Sequence, residues 1–396
     1  MTTTYYFVEP LDVLMVRGNK SFGGAGQHGE AVMPPWPSLF AGAFRSALLG
    51  DDADKLSRFV SIGTDKNIAE EDRRARMRDA LGEALFATLG TPTEPGDFRI
   101  TWLSLASANG GVQPVMPLPA DLAAFSDASV PPLAALQPAR RPAGSAASDE
   151  LPLTAFLRVG KQVKPEGGRW LDGAGITDHL AGTLPKATLH TSALFKRETR
   201  LGIALNAESR TAENGALYTT EAISFCDDAG FLVGIEGDHG LLQNEGLLRL
   251  GGDGKAAHYR QVDGFVPPSA PLLTLGGCFR LILATPGIFS GGWLPERVSK
   301  QANGSHRVIG DGFTARLVCA SVARHDVISG WDLANWQPKA AQRVAPAGSV
   351  YWFDDLQGDT GKLAEWVTGG LWGENADKQR RAEGFNRAWL AAWTNN

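Results

Sequence analysis

The stretch Lys196 to Tyr218, KRETRLGIALNAESRTAENGALY, constrains the fold most. An apolar, β-prone run (Leu201, Ile203, Ala204, Leu205) enters a polar crossing from Asn206 to Gly215, and a second run opens at Leu217 and Tyr218. Two such runs across a loop bearing Asn and Gly predict a long β-hairpin. Lys196, Arg197, Arg200 and Arg210 outnumber Glu198, Glu208 and Glu213, so the hairpin is cationic on a chain whose net charge is −5. Packing gives no reason for that local excess. Holding the phosphates of a partner gives one.

The surroundings extend the basic zone. Ala155 to Arg169 carries Arg158, Lys161, Lys164 and Arg169 against one Glu. Upstream, Arg17 to Gly29 (RGNKSFGGAGQHG) is a glycine-rich loop holding Arg17 and Lys20. Such a loop is either a flexible turn or a cradle whose Gly amides approach an anion. The chain's overall acidity argues against a free-standing, nonspecific nucleic-acid binder. It leaves room for a subunit with one basic face.

The remaining pattern is α+β. Tyr5 to Val16 reads as a first strand. Ser38 after PPWP is a good N-cap for a helix over about Leu39 to Leu49, with Leu39, Phe40, Ala43, Phe44, Ala47 and Leu48 on the buried face. Arg45 falls off that face and is expected in solvent. Asp51 to Leu89 reads as helices with solvated charges, and Phe98 to Ala106 as a strand. Pro114 to Pro152, rich in Pro, Ala and Ser, reads as a partly irregular covering insertion. After the hairpin come a strand at Gly230 to Glu236, a short helix candidate at Leu241 to Leu248, and a strand through Val262. Stripped of insertions, the order is strand, helix, strand, strand, helix, strand, which is ferredoxin-like. The Pro/Gly linker after Phe265 sets a boundary, giving domains 1–266 and 267–396. In the second unit, Cys278–Thr285, Thr314–Ala323 and Ser349–Phe353 read as strands, Thr360–Trp372 as a helix, and Gly384–Trp393 as a strand or helix. Two tandem ferredoxin-like (RRM-like) domains with a long hairpin and insertions are therefore expected.

Several chemistries are weighed and set aside. GGDGK (251–255) is not a phosphate-binding P-loop, because Arg249 stands where the first Gly belongs and Ala256 where Ser or Thr should follow Lys. It remains a tight turn or a contact loop. Ser38, Ser192 and Ser349 lack the G-x-S-x-G elbow. Asp354-Asp355 reads as an exposed acidic turn rather than a metal site. No His stands at metal spacing from another, so no metal, no cofactor and no catalysis are expected. The 11 Trp and other aromatics lack the RRM signature and read mostly as core or protein interface. Three separated Cys (Cys226, Cys278, Cys319) point to reduced thiols and a cytoplasmic protein. No segment reads as a signal peptide or a membrane span.

The hairpin sequence also resembles a known family. TRLGIALNAESRTAENGALY resembles the third subunit of the Cmr (type III-B CRISPR) effector complex, of the repeat-associated mysterious protein superfamily. EPLDVLMVRGNKSF, PPWPSLFAGAFRSALL, LYTTEAISF, LRLGGDGKAAHY, ATPGIFSGGWLP and PAGSVYWF extend the likeness from Glu9 to Phe353. The resemblance implies the same pair of domains. It also implies a non-catalytic antiviral-defence subunit that holds the 5′ tag of the guide RNA (crRNA) and bridges the large cyclase-bearing subunit to the backbone repeat subunit. It makes Gly251, Gly252 and Lys255 candidate RNA contacts beside Arg17, Lys20, Arg158, Lys161, Lys164, Lys196, Arg197, Arg200, Arg210 and a polar or stacking His258. Two alternatives stay open. One is a guide-processing endoribonuclease of the same superfamily, which would use His190 or His258 as general acid–base groups. The other is a purely structural assembly subunit.

Overall fold

The computed structural model describes residues 2–18, 28–50, 52–147, 149–206, 208–268, 273, 275–332 and 337–393, the side chains of 53 and 213–216 excepted. It is an α+β protein built on two antiparallel sheets. The first has eight strands in the order 245–249, 256–261, 4–10, 229–236, 99–107, 113–117, 169–171 and 189–190. The second has six, in the order 298–300, 306–309, 313–321, 350–358, 279–283 and 388–392. Neighbours in both pair antiparallel.

The first strand, Thr4–Pro10, is buried on both faces because its alternation feeds two cores. Tyr6 and Val8 point to helix α1 (Pro37–Gly50), whose Phe40 and Phe44 are fully buried. Phe7 points the other way, toward Trp102, Leu232 and Trp389. Ile100 and Leu103 share the α1 side although three residues apart. The register slips opposite them, between Gly234 and Ile235, and a slip of this kind shifts the alternation. Helix α1 begins at Pro37, so Ser38 lies inside it and is not its cap. Proline is well suited to the first helical position, where its missing N–H costs nothing.

Helices α2 (Ala53–Thr64), α3 (Glu70–Leu81) and α4 (Glu83–Leu89) account for the charged stretch. They surround a small core of Met77, Leu81, Leu85, Phe86 and Leu89. Asp52 caps α2, accepting from the Asp54 and Lys55 amides.

The expected helix at Leu241–Leu248 is absent. Glu245–Arg249 instead pairs with Ala256–Gln261, and residues 250–255 are the turn of that hairpin. Leu248 and Leu250 are buried while Leu247 is exposed, a two-residue period that suits a strand. The Pro114–Pro152 segment is more regular than expected. It contributes strands Gln113–Pro117, Leu122–Ala124 and Leu133–Ala139, which pairs with Thr154–Leu157. With helix α5 (Gly173–Leu180) it covers the outer face of the second sheet, where Met116, Leu171, Ile176 and Leu180 meet Ile282, Val318 and Trp352. Helix α6 (Thr360–Thr368), capped by Asp359, stops before the expected Trp372, at Gly369 and Gly370, the latter with φ +83°. Helix α7 (Lys378–Glu383) precedes the last strand, Ala388–Ala392. Asp354 and Asp355 lie within strand Val350–Gly358. Each is paired, with Arg316 and Arg307 respectively, so they are not an acidic turn.

The long hairpin is present. Phe195–Leu205 pairs with Ala212–Phe225, from Phe195↔Phe225 to Leu205↔Ala212, and its second strand starts earlier than expected. Phe195 and Ile223 root it in the first core, and a Leu14↔Ile223 bridge ties it to the N-terminal segment.

Candidate nucleic-acid interface

A cleft of about 1030 Å³ opens between α1, α2, the turn at Gly251–Asp253 and the paired strands Trp331–Asp332 and Gln337–Pro338 beside α7. The packing of α1 sets one wall. Phe40 and Phe44 hold the helix on the sheet, which leaves Ser38, Gly42, Arg45 and Ser46 facing the cleft.

Arg45 is the group that sequence reasoning missed. It is not in solvent. Its Nε and Nη2 are buried without a hydrogen-bond partner, and its guanidinium lies 5.3 Å from the centre of the Phe98 ring. Burial lowers its pKa, and Glu383 opposes that shift. Glu383 is itself shared. Lys339 Nζ donates to its Oε1 at 2.8 Å, and Arg380 Nη1 to its Oε2 at 3.0 Å. Three cations thus surround one buried carboxylate, and Arg45 is the one without a bond to it. A buried cation so placed favours an anion in the cleft. The only sequence signal was its position one step from the apolar stripe of α1, which a solvated arginine also occupies.

Two sequence-predicted elements join Arg45 here. Arg17 and the Gly251–Gly252 turn both line the cleft. The turn rests on the N-terminal segment, with the Gly252 amide donating to Met15 O at 2.8 Å. Its two glycines are unequal. Gly251 has φ +84°, and a Cβ there would lie 2.6 Å from Met15 O. At Gly252 the nearest atom would be 3.6 Å away, so a side chain fits. Gly251→Ala should therefore lower the melting temperature, whereas Gly252→Val should melt like the parent and weaken RNA binding; paired unfolding and binding curves on both variants check this.

The other candidates are placed elsewhere. Lys255 pairs with Asp12, holding that carboxyl below its usual range, and Arg200 on the hairpin adds to the effect. This places Arg200 and Lys255 about one acidic residue, next to the turn. Arg197 is committed to structure: its Nη1 donates to Glu221 at 2.8 Å and to Ala31 O at 2.7 Å, fastening the hairpin to the segment just after strand His28–Gly29. Lys196 is exposed and makes no ion pair among the described residues. Arg210 has φ 55° at the hairpin tip. The free end of the hairpin is aliphatic, with Leu201 67% and Leu205 59% exposed. His258 lies on the sheet face opposite the buried Ala257 and Tyr259, and does not line the cleft. Arg158, Lys161 and Lys164 follow strand Thr154–Leu157 and do not line the cleft, Lys161 standing 3.4 Å from Asp127. Lys20 lies outside the described residues.

His190 Nδ1 is 2.8 Å from Ser192 Oγ and accepts the Ser192 amide, so it closes a turn. Among the described residues no three His, Cys, Asp or Glu side chains converge to hold a metal. Cys226, Cys278 and Cys319 form no disulfide with one another, and burial pushes the Cys319 thiol up to about 12. No described helix is long and apolar enough to cross a membrane.

Comparison with known proteins gives one strong result. The model of the family described as CRISPR-associated protein (Cas_Cmr3) matches residues 6–393. No curated protein matches. Among solved structures, a cryo-EM structure of the type III-B Cmr-beta bound to cognate target RNA and AMPPnP contains a chain with TM-score 0.47 and 13% identity, covering 97% of this chain and 95% of that one. A second, of Cmr-beta bound to cognate target RNA, gives TM-score 0.45 and 12% identity over 97% and 96%.

Proposed function

The chain belongs to the Cas_Cmr3 family of CRISPR-associated proteins, and on that premise we propose that it is a non-catalytic, RNA-binding subunit of a type III-B effector complex. It holds the 5′ tag of the guide RNA and bridges the large cyclase-bearing subunit to the backbone repeat subunit. The observation that carries the RNA reading is Arg45: a buried, unpaired guanidinium facing a cleft that also gathers Arg17 and the Gly251–Gly252 turn. A cleft of this size takes a nucleotide. The hairpin extends the interface with Lys196, Arg200 and Arg210.

The proposal includes the fold. In the first sheet the strands at 256–261, 4–10, 229–236 and 99–107 lie in the order fourth, first, third, second. The second sheet repeats this with 388–392, 279–283, 350–358 and 313–321. Each unit has one main crossing helix, α1 in the first and α6 in the second. Both are degraded ferredoxin-like domains, and the chain divides near residue 266.

One feature favours a second reading. The aliphatic end of the hairpin (Leu201, Ile203, Leu205, Leu217) suits a protein surface, as a purely structural assembly subunit requires. Binding measured against salt separates the two. The full chain should prefer RNA bearing the tag. Combining Lys196→Ala, Arg200→Ala and Arg210→Ala should reduce the salt slope by roughly 0.7 per lost phosphate contact. No tag preference and an unchanged slope would leave the assembly reading. Precursor RNA incubated with the protein should stay intact; cleavage at a defined position that is lost with His190→Ala or His258→Ala would make the protein an endoribonuclease.

A further inference from the structure

We infer that a second cavity, between the two sheets and walled by Arg99, Arg381 and Arg387, binds a phosphate-class oxyanion. The cavity measures about 580 Å³ and shares no lining residue with the cleft. Helix α7 separates them, with Arg380 and Glu383 turned to the cleft, and Lys378 and Arg381 to the cavity. The inference is independent of the RNA reading.

Arg387 is the centre of the site. It precedes the last strand and reaches across the seam. Nη1 donates to Thr368 O at 2.8 Å, at the end of α6, and Nη2 to Ile100 O at 2.9 Å on the first sheet. Its Nε is buried with no partner. Both bonds are to neutral carbonyls, so they fix the guanidinium without neutralising it.

Charge around Arg387 makes the deficit worse. Burial lowers its pKa to about 10; Glu236 resists, while Arg381 and Arg99 push further down. Glu236 is the sole carboxylate lining the cavity among the described residues, and it already accepts from Thr3 Oγ1 at 2.7 Å. Lys378 is occupied by both oxygens of Glu94 at 3.0 Å. Among the described residues Arg99, Arg381 and Arg387 have no carboxylate within ion-pair distance. Three arginines held around one cavity repel unless an anion sits between them. The guanidinium fork suits the several oxygens of a phosphate better than a single carboxylate. Trp102 and Trp389, with ring centroids 5.3 Å apart, wall the same cavity, which exceeds the size of a bare phosphate and leaves room for an attached group.

Thermal unfolding of the full chain tests this. Inorganic phosphate replaces chloride at constant ionic strength. The parent should gain melting temperature along a saturable curve, as a ligand bound to the native state requires. Arg381 is exposed on α7, so Arg381→Ala should fold normally, and its half-saturation should rise about tenfold, the value of one charge-assisted bond. Arg99→Ala should do the same. Lys362→Ala, on the outer face of α6, should keep the parental curve. A parent with no saturable gain, or Arg381→Ala and Arg99→Ala proteins that retain the parental midpoint, overturns the proposal. Repeating the titration with adenosine monophosphate and with a short RNA identifies the source. Tighter half-saturation by the monophosphate assigns a free nucleotide, and tighter half-saturation by the RNA assigns a backbone phosphate.

Discussion

Asp121→Ala should lose about 3–5 kcal/mol of folding stability, the cost of leaving a buried charge without its partner. Asp121 is 1% exposed, at the turn between strands Gln113–Pro117 and Leu122–Ala124 of the covering segment. Its Oδ2 pairs with Arg280 Nη1, on the second sheet, and its Oδ1 stands 3.1 Å from His179 Nε2 on α5. Arg280 also donates Nη2 to His179 O at 2.7 Å and Nε to Ala392 O at 3.1 Å. One carboxylate thus joins the covering segment, α5 and the second sheet. Without it the guanidinium keeps its carbonyl bonds but loses its only counter-charge among the described residues. Urea unfolding measures the loss. The compensating pair Asp121→Leu with Arg280→Met should recover most of it, since both charges then leave together. A single substitution costing under about 1 kcal/mol, the range of an exposed pair, would show that the lock is not formed.

The same carboxylate sets a pH limit. Burial alone would raise its pKa, but His179 and Arg280 more than offset it, so the folded value lies below the unfolded one. A depressed carboxylate contributes its stability above the unfolded pKa of about 4 and loses it as pH falls through the folded value. The parent should therefore lose stability on acidification through that window. Asp121→Asn should lose less, because it has no charge there to protonate.

What the sequence shows depends on the distance over which each force acts. The hairpin was legible because its signal is local: two β-prone runs, a polar turn and a spacing. The α1 stripe was legible for the same reason. Leu241–Leu248 was misread because Leu241, Leu242, Leu247 and Leu248 fit a helix as well as a strand, and pairing with Ala256–Gln261 decided it. The covering segment looked irregular because Pro and Ala hide the period, while its partner surface lies more than a hundred residues later, at Ile282, Val318 and Trp352. Charges were hardest. Arg197 and Lys255 read as RNA contacts in sequence, but Glu221 holds the first from the hairpin's own second strand, and Asp12 holds the second from the N-terminal segment that the turn meets only on folding. Arg45 is the reverse case, a charge expected in water that the fold leaves inside.

Arg45→Met should separate function from folding in the direction opposite to Asp121→Ala. The guanidinium has Nε and Nη2 buried with no hydrogen bond, and its one direct support among the described residues is the Phe98 ring. Removing an uncompensated charge of that kind while keeping its stem in contact with apolar neighbours is neutral or stabilising in an empty cleft. If RNA supplies the missing anion, the same change removes a charge-assisted bond of about 1.5–3 kcal/mol, and guide-RNA affinity falls by roughly one to two orders of magnitude. Arg45→Lys keeps the charge but not the fork, so its affinity should fall between the two. Filter binding and thermal unfolding on one preparation of each protein decide the matter. Loss of stability with normal binding means that Glu383 already compensates the arginine across the cleft, and the site then belongs to the fold. Unchanged stability with unchanged binding removes the cleft from the RNA path and leaves the hairpin cations to carry it. Retained stability with weakened binding is the pattern that an anion-holding cleft produces, because only there is the partner of Arg45 absent until RNA arrives.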